Sequence, residues 1–179
     1  MRARNLTRLC AGLTLVWALG SGDTSWAEEQ RRSPHETFTA NAGGATITIT
    51  YGRPYVKGRK IFGGLEPYAR VWRTGADEAT TFETDKDLVI GGVTVPAGSY
   101  TLFTWLDEKA WKLVINKETG QWGLDYNQDQ DLARIGMKTE HLNQLVEKHT
   151  IAIDPQERGG VLRIEWEYTR ATVPFTVKQ

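Results

Sequence analysis

Between residues 161 and 168, Leu162, Ile164, Trp166 and Tyr168 alternate with Arg163, Glu165 and Glu167. A period of two sends successive side chains to opposite faces, so this segment buries its apolar set only as a β-strand. Residues 45–51 repeat the pattern, with Ile47, Ile49 and Tyr51 against Thr46, Thr48 and Thr50. Trp111, Leu113 and Ile115 share one face of a third such run, and Val173, Phe175 and Val177 share one face of a fourth. Turn residues separate the runs. Gly91-Gly92 lies between residues 87–90 and 93–95 as a two-residue hairpin signal. Pro96-Ala97-Gly98 leads into 99–105, and Asp107-Glu108-Lys109 leads into 111–116. Further strands are expected at 69–74, 80–84, 132–138 and 148–153. Residues 138–147 are open between strand and short helix, because Leu142, Leu145 and Val146 also fall at helical spacing. Many short strands with Gly- and Asp-rich turns predict an all-β, antiparallel β-sandwich (or partly closed barrel) of about eight to ten short strands.

The N-terminus reads differently. Arg2, Arg4 and Arg8 precede an uncharged, mostly apolar run over residues 9–19, and a small, polar stretch ends at Ser25-Trp26-Ala27. This is the pattern of a secretory signal peptide, with cleavage expected after Ala27. The apolar run is shorter than the roughly 20 residues of a membrane span. Cys10 stands at the start of that run and not at its end, which argues against a lipoprotein. The expected organisation is a signal peptide over 1–27, a flexible polar leader over 28–44 and a single β-sandwich domain over 45–179. Export to the periplasm or the extracellular space follows, with no transmembrane anchor after cleavage.

Cys10 is the chain's only cysteine. The mature domain is therefore expected to be disulfide-free and held by packing. The full chain balances 22 Lys and Arg against 22 Asp and Glu. Loss of Arg2, Arg4, Arg8 and Asp23 leaves a net charge of about −2, which argues against nucleic acid as a partner.

The most distinctive stretch is residues 51–81, YGRPYVKGRKIFGGLEPYARVWRTGADEATT. IGGVTVPAGSYTLFT at 90–104 and WKLVINK at 111–117 follow it. These segments resemble the exported bacterial family known as domain of unknown function 2911, across roughly residues 45 to 177. The resemblance implies a signal-bearing, all-β domain and no particular activity. Asp77 departs from the family pattern, which places asparagine there.

Most site chemistries find little support. His35, His141 and His149 lack the close spacing of a zinc site, so no metal and no cofactor are expected. Asp125, Asn127, Asp129 and Asp131 alternate as in a calcium loop, but Gln130 and Gly136 stand where glycine and a bidentate glutamate are required. No G-x-S-x-G occurs, and Ser99 follows a turn. What remains is a basic, aromatic and glycine-rich segment. Arg53, Lys57, Arg59 and Arg73 can hold carboxylate, phosphate or sulfate, and Tyr55 can stack on a sugar or a cation. With Asp77 and Glu78 they form the candidate ligand site. The same residues could instead be architecture, with basic stems covering apolar surface and acids as ion-pair partners. Trp72 is expected in the core and Arg73 near Glu78.

The reading that follows is a non-enzymatic, exported binding module for an anionic or polyhydroxylated, sugar-like small molecule. The alternatives are a cell-envelope saccharide hydrolase using Glu78, and a purely structural envelope protein.

Overall fold

The computed structural model describes residues 33–179. The expected signal peptide, its cleavage point and the first part of the expected leader lie outside them. Eleven strands follow in order: β1 (His35–Ala42), β2 (Ala45–Gly52), β3 (Arg70–Trp72), β4 (Thr80–Thr84), β5 (Leu88–Ile90), β6 (Val93–Val95), β7 (Gly98–Leu106), β8 (Lys112–Asn116), β9 (Asp131–Gly136), β10 (Lys138–Gln156) and β11 (Gly159–Val177). A single 3-10 turn, Gln128–Gln130, is the only helical element among the described residues. All ladders are antiparallel. One sheet runs β1-β2-β4-β7-β8-β9 with β3 also on β7, and the other runs β10-β11-β5-β6. The fold is an all-β sandwich of two open sheets, not a barrel.

The core lies between the sheets. Ile47, Ile49, Phe82, Leu102, Leu113 and Ile115 face Leu88, Ile90, Ile151, Leu162, Ile164 and Val173, all buried. Tyr51 ties the layers together: its hydroxyl donates to the Ile151 carbonyl at 3.4 Å and accepts the Ile151 N–H at 3.0 Å.

Two expectations need correction and one open choice is settled. From His35 onward, the expected flexible leader over 28–44 is a strand. Phe38, Ala40 and Ala42 turn inward while Thr37, Thr39 and Asn41 face out. The Gly43-Gly44 turn, with φ of 60° and 84°, closes the β1–β2 hairpin, and two successive positive φ values are what glycine supplies without strain. Small apolar residues made this alternation weak in the sequence. Residues 138–147, open between strand and helix, belong to β10. The strands are also not uniformly short, since β10 and β11 are 19 residues each.

Those two long strands do not pair evenly. Their register shifts between His141 and Val146, and again between Val146 and Thr150. Opposite the shift, Glu167 has φ of 56°. The irregularity moves the inward phase of β11 from Leu162, Ile164 and Trp166 to Ala171, Val173 and Phe175. Tyr168, expected on the Trp166 face, is therefore thrown outward at 41% exposure.

Candidate functional site

Two local departures from regular pairing create the site. The first is a split in the large sheet. β3 and β4 pair with the same edge of β7, β3 along Thr104–Leu106 and β4 along Gly98–Leu102. Residues 73–79 between them have no place in the ladder and loop out. The loop is held in an unfavourable backbone. Thr74 is fully buried at φ of 53° and Asp77 has φ of 65°. A left-handed conformation suits Asp or Asn better than a β-branched residue, for which such strain costs on the order of 1–3 kcal/mol. Hydrogen bonds fix it: Thr74 Oγ1 and Thr104 Oγ1 lie 2.8 Å apart, and Thr80 Oγ1 donates to the Thr74 carbonyl at 3.0 Å.

The second departure is at β10. Where β10 leaves β11, its edge takes on the segment that follows β2. Val56 N–H donates to the Glu147 carbonyl at 2.8 Å, and His149 N–H donates to the Pro54 carbonyl at 2.9 Å. Pro54 has no N–H to donate, so it contributes to this irregular ladder only as an acceptor. The Lys57 N–H reaches Glu147 Oε1 at 2.9 Å, and Lys57 itself has φ of 50°.

Between these segments lies a cleft of about 330 Å³, within the range of small-molecule sites. Of the sequence-derived candidates, Tyr55, Lys57, Arg59, Arg73 and Asp77 line it. Glu66 lines it from the 60–66 turn, and Trp166 on β11 forms part of its wall. Neither the Lys57 ammonium nor the Arg73 guanidinium makes a hydrogen bond or ion pair among the described residues. Arg59 is partly committed, donating to the Val56 carbonyl at 3.0 Å and to the Tyr55 carbonyl at 2.6 Å. Asp77 Oδ2 accepts the Ser33 N–H at 3.1 Å. The loop over residues 118–130 braces Arg73 from outside. A β-carbon on Gly123 would come within 2.6 Å of Arg73 Cδ and 2.7 Å of the Asp77 carbonyl oxygen, so only glycine fits this approach.

Arg53 and Glu78 are not brought into the cleft lining. Arg53 is a structural clamp: it donates to the His149 carbonyl at 2.9 Å and to Thr150 Oγ1 at 2.8 Å, and it pairs with Glu36 on β1. Glu78 pairs with His35 Nε2 at 2.8 Å. The expected Arg73–Glu78 contact is replaced by an electrostatic one, in which Arg73 and Arg59 act on Glu66. Burial raises the Glu66 pKa from 4.5 to about 7, against the pull of Arg73 and Arg59.

Behind the cleft wall is a cluster that no sequence motif marks. His149 is fully buried, with Trp72 5.0 Å, Tyr51 5.5 Å and Trp166 5.6 Å from its ring centre. Burial lowers its pKa from 6.5 to about 3; the Gly52 carbonyl opposes the shift and the Arg53 charge adds to it. Neither imidazole nitrogen, nor the indole N–H of Trp72 or Trp166, makes a hydrogen bond of good geometry. The signal was present: His149 shares the inward phase of β10 with Ile151 and Ile153. Among the described residues, no three His, Asp or Glu side chains gather into a metal site. Asp131, in the acidic run, accepts Asn116 Nδ2, the Tyr126 hydroxyl and Arg134 Nε.

A family model described as Protein of unknown function (DUF2911) matches residues 33–175. That span begins just before β1, ahead of the start expected from sequence. Comparison with curated proteins and comparison with solved structures each returned no match.

Proposed function

The chain belongs to this family of unknown function, and from that premise we propose that it is an exported binding module whose cleft takes up a small anionic or polyhydroxylated molecule. The observation that carries the reading is the state of Lys57 and Arg73. Both cations line a cleft with an aromatic wall, and neither makes a hydrogen bond or ion pair among the described residues. A half-buried guanidinium with its donors unsatisfied is costly to keep unless a ligand supplies the acceptors. The backbone strain at Lys57 and Thr74 lies beside these two side chains. Strain of that kind gathers at binding sites, where the surrounding structure over-determines it.

A hydrolase using Glu78 fits the geometry less well. Glu78 is engaged by His35, while the carboxyls that line the cleft belong to Glu66 and Asp77. Export rests on the N-terminal pattern of Arg2, Arg4, Arg8, the apolar run and Ala27. Intact mass of the envelope fraction tests it: the mature protein is expected to begin at Glu28, and retention of Met1 would contradict export by cleavage.

Binding itself is tested by a thermal-shift screen of small anions, sugars and sugar acids. Occupied sites raise the melting temperature by mass action. The expected outcome is a concentration-dependent rise in the wild-type protein that Arg73→Gln abolishes. A rise of equal size in both proteins would place binding elsewhere, and turnover of a hit would establish an enzyme.

A further inference from the structure

The charge in the cleft narrows what can fill it. Lys57, Arg59 and Arg73 bring three cations; Glu66 and Asp77 bring two carboxyls. Asp77 is occupied by the Ser33 N–H. Glu66 makes no side-chain hydrogen bond or ion pair among the described residues, although the Arg59 and Arg73 charges act on it. Carboxyl and guanidinium groups thus share the cleft without pairing.

We infer that the cleft is an oxyanion site, in which a carboxylate, sulfate or phosphate group of the ligand seats on Arg73 and Arg59 beside the Lys57 ammonium while Glu66 takes up a proton. This rests on the binding reading above and selects the anion over the neutral polyol. Guanidinium groups present planar donor forks that match an oxyanion and leave a neutral hydroxyl poorly recognised. Trp166 forms part of the cleft wall. An oxyanion brings acceptors and no donors, which is the complement of Arg73 and Lys57.

Proton uptake follows from like charges. Facing Glu66 are Arg59 from the segment after Gly58, Arg73 from the loop after β3, and Lys57 and Asp77 around the same cleft. On β11, the Glu167 carboxylate accepts the Ile61 N–H at 3.3 Å, at the base of the Glu66 turn. An entering anion repels an ionised Glu66 and favours its protonated form. Because burial already holds Glu66 near 7, the linkage falls at neutral pH. By reciprocity, the anion binds more tightly when Glu66 carries its proton. No covalent bond changes; one anion and up to one proton enter together.

Calorimetric titration of the folded domain with sodium sulfate, D-glucuronate and neutral methyl glucoside tests this. The runs are made at about pH 5.5 and about pH 8.5, in buffers of different ionisation heat. Sulfate and glucuronate are ionised at both values, so changes in affinity report the protein. Sulfate represents tetrahedral oxyanions and glucuronate the planar carboxylate. The expected result is that at least one of the two anions binds and the glucoside does not. Wild-type affinity drops about tenfold at the higher pH, the equivalent of a one-unit shift, with net proton uptake near neutral pH. Glu66→Gln, a mimic of the protonated carboxyl, loses the pH dependence, its affinities at the two pH values becoming equal. Arg73→Gln weakens binding at least about tenfold, the loss of one charge-assisted contact. Equal binding of glucoside and glucuronate would overturn the oxyanion assignment and leave the binding reading intact. Unchanged pH dependence in Glu66→Gln would overturn the proton linkage. Absence of binding by both anions would overturn the inference, while the broader thermal-shift screen separately decides whether the cleft binds anything.

Discussion

Trp72 on β3 and Trp166 on β11 stack across the sandwich, with ring centres 5.9 Å apart and planes 18° from parallel. They come from opposite sheets, so this contact joins the layer that carries Arg73 to the wall of the cleft. Phe62 packs edge-on to both, at 5.6 Å from Trp72 and 6.1 Å from Trp166. Trp166→Ala is expected to cost about 3–5 kcal/mol, the usual range for a core aromatic. Trp166→Phe keeps a ring there and removes an N–H that has no acceptor, so its net cost is expected to stay within about 1 kcal/mol. Urea denaturation of both variants checks the pair. A near-neutral Trp166→Ala would contradict the role of this stack.

Arg53 and Arg73 look alike in sequence and should behave oppositely. Arg53 joins β1, through Glu36, to His149 and Thr150 on β10. Arg53→Gln breaks that clamp and is expected to destabilise by about 2–4 kcal/mol. Arg73 has no such ties, and Arg73→Gln is expected to leave stability unchanged or raised, because it removes a half-buried charge with unsatisfied donors, while removing ligand binding. Chemical denaturation and the ligand screen on both variants read the two effects separately. Similar stability losses in both would make the basic segment architecture throughout.

Stability should depend on pH through two groups of opposite sign, the buried His149 and the half-buried Glu66. His149 cannot take a proton in the fold until about pH 3, but the unfolded chain protonates it below about 6.5. Its contribution is full above 6.5 and is lost as pH falls from there towards 3. Glu66 holds its proton in the fold up to about 7, against 4.5 in the unfolded chain. Its contribution is full below 4.5 and is lost as pH rises through 7. Glu66→Gln should therefore match the wild type at about pH 4 and exceed it by about 1–3 kcal/mol at about pH 8. Denaturant midpoints across that range measure the difference. A gap independent of pH would contradict the raised proton affinity of the half-buried Glu66.

Period-two patterning revealed the strands because it is local. Ile47 to Tyr51, Leu162 to Trp166 and the Gly91-Gly92 hairpin all appear as read. It failed where irregularity is set by tertiary pairing. Nothing near Tyr168 announces that Glu167 takes a left-handed conformation, since the cause lies across the ladder in β10. The site followed the same division. Tyr55, Lys57, Arg59, Arg73 and Asp77 were legible as a basic, aromatic segment rich in glycine. Glu66 lies in that segment without a motif of its own, because its raised proton affinity comes from burial in the fold. Trp166 read as plain core, because its neighbours in the cleft lie far away in sequence. Arg53 was drawn in by proximity to Tyr55, although the β10 edge claims it.

The central claim, that the cleft binds through Arg73 beside Trp166, is tested most directly by nitrogen–proton NMR of the indole resonances. Trp166→Phe identifies the Trp166 N–H signal by its loss. Titration of the wild type with the best anion from the screen is expected to shift the Trp166 indole and Arg73 Nε–H signals along one saturating curve, and Arg73→Gln is expected to flatten the indole response. Saturable shifts confined to other surfaces, with the Trp166 signal unmoved, would contradict the account.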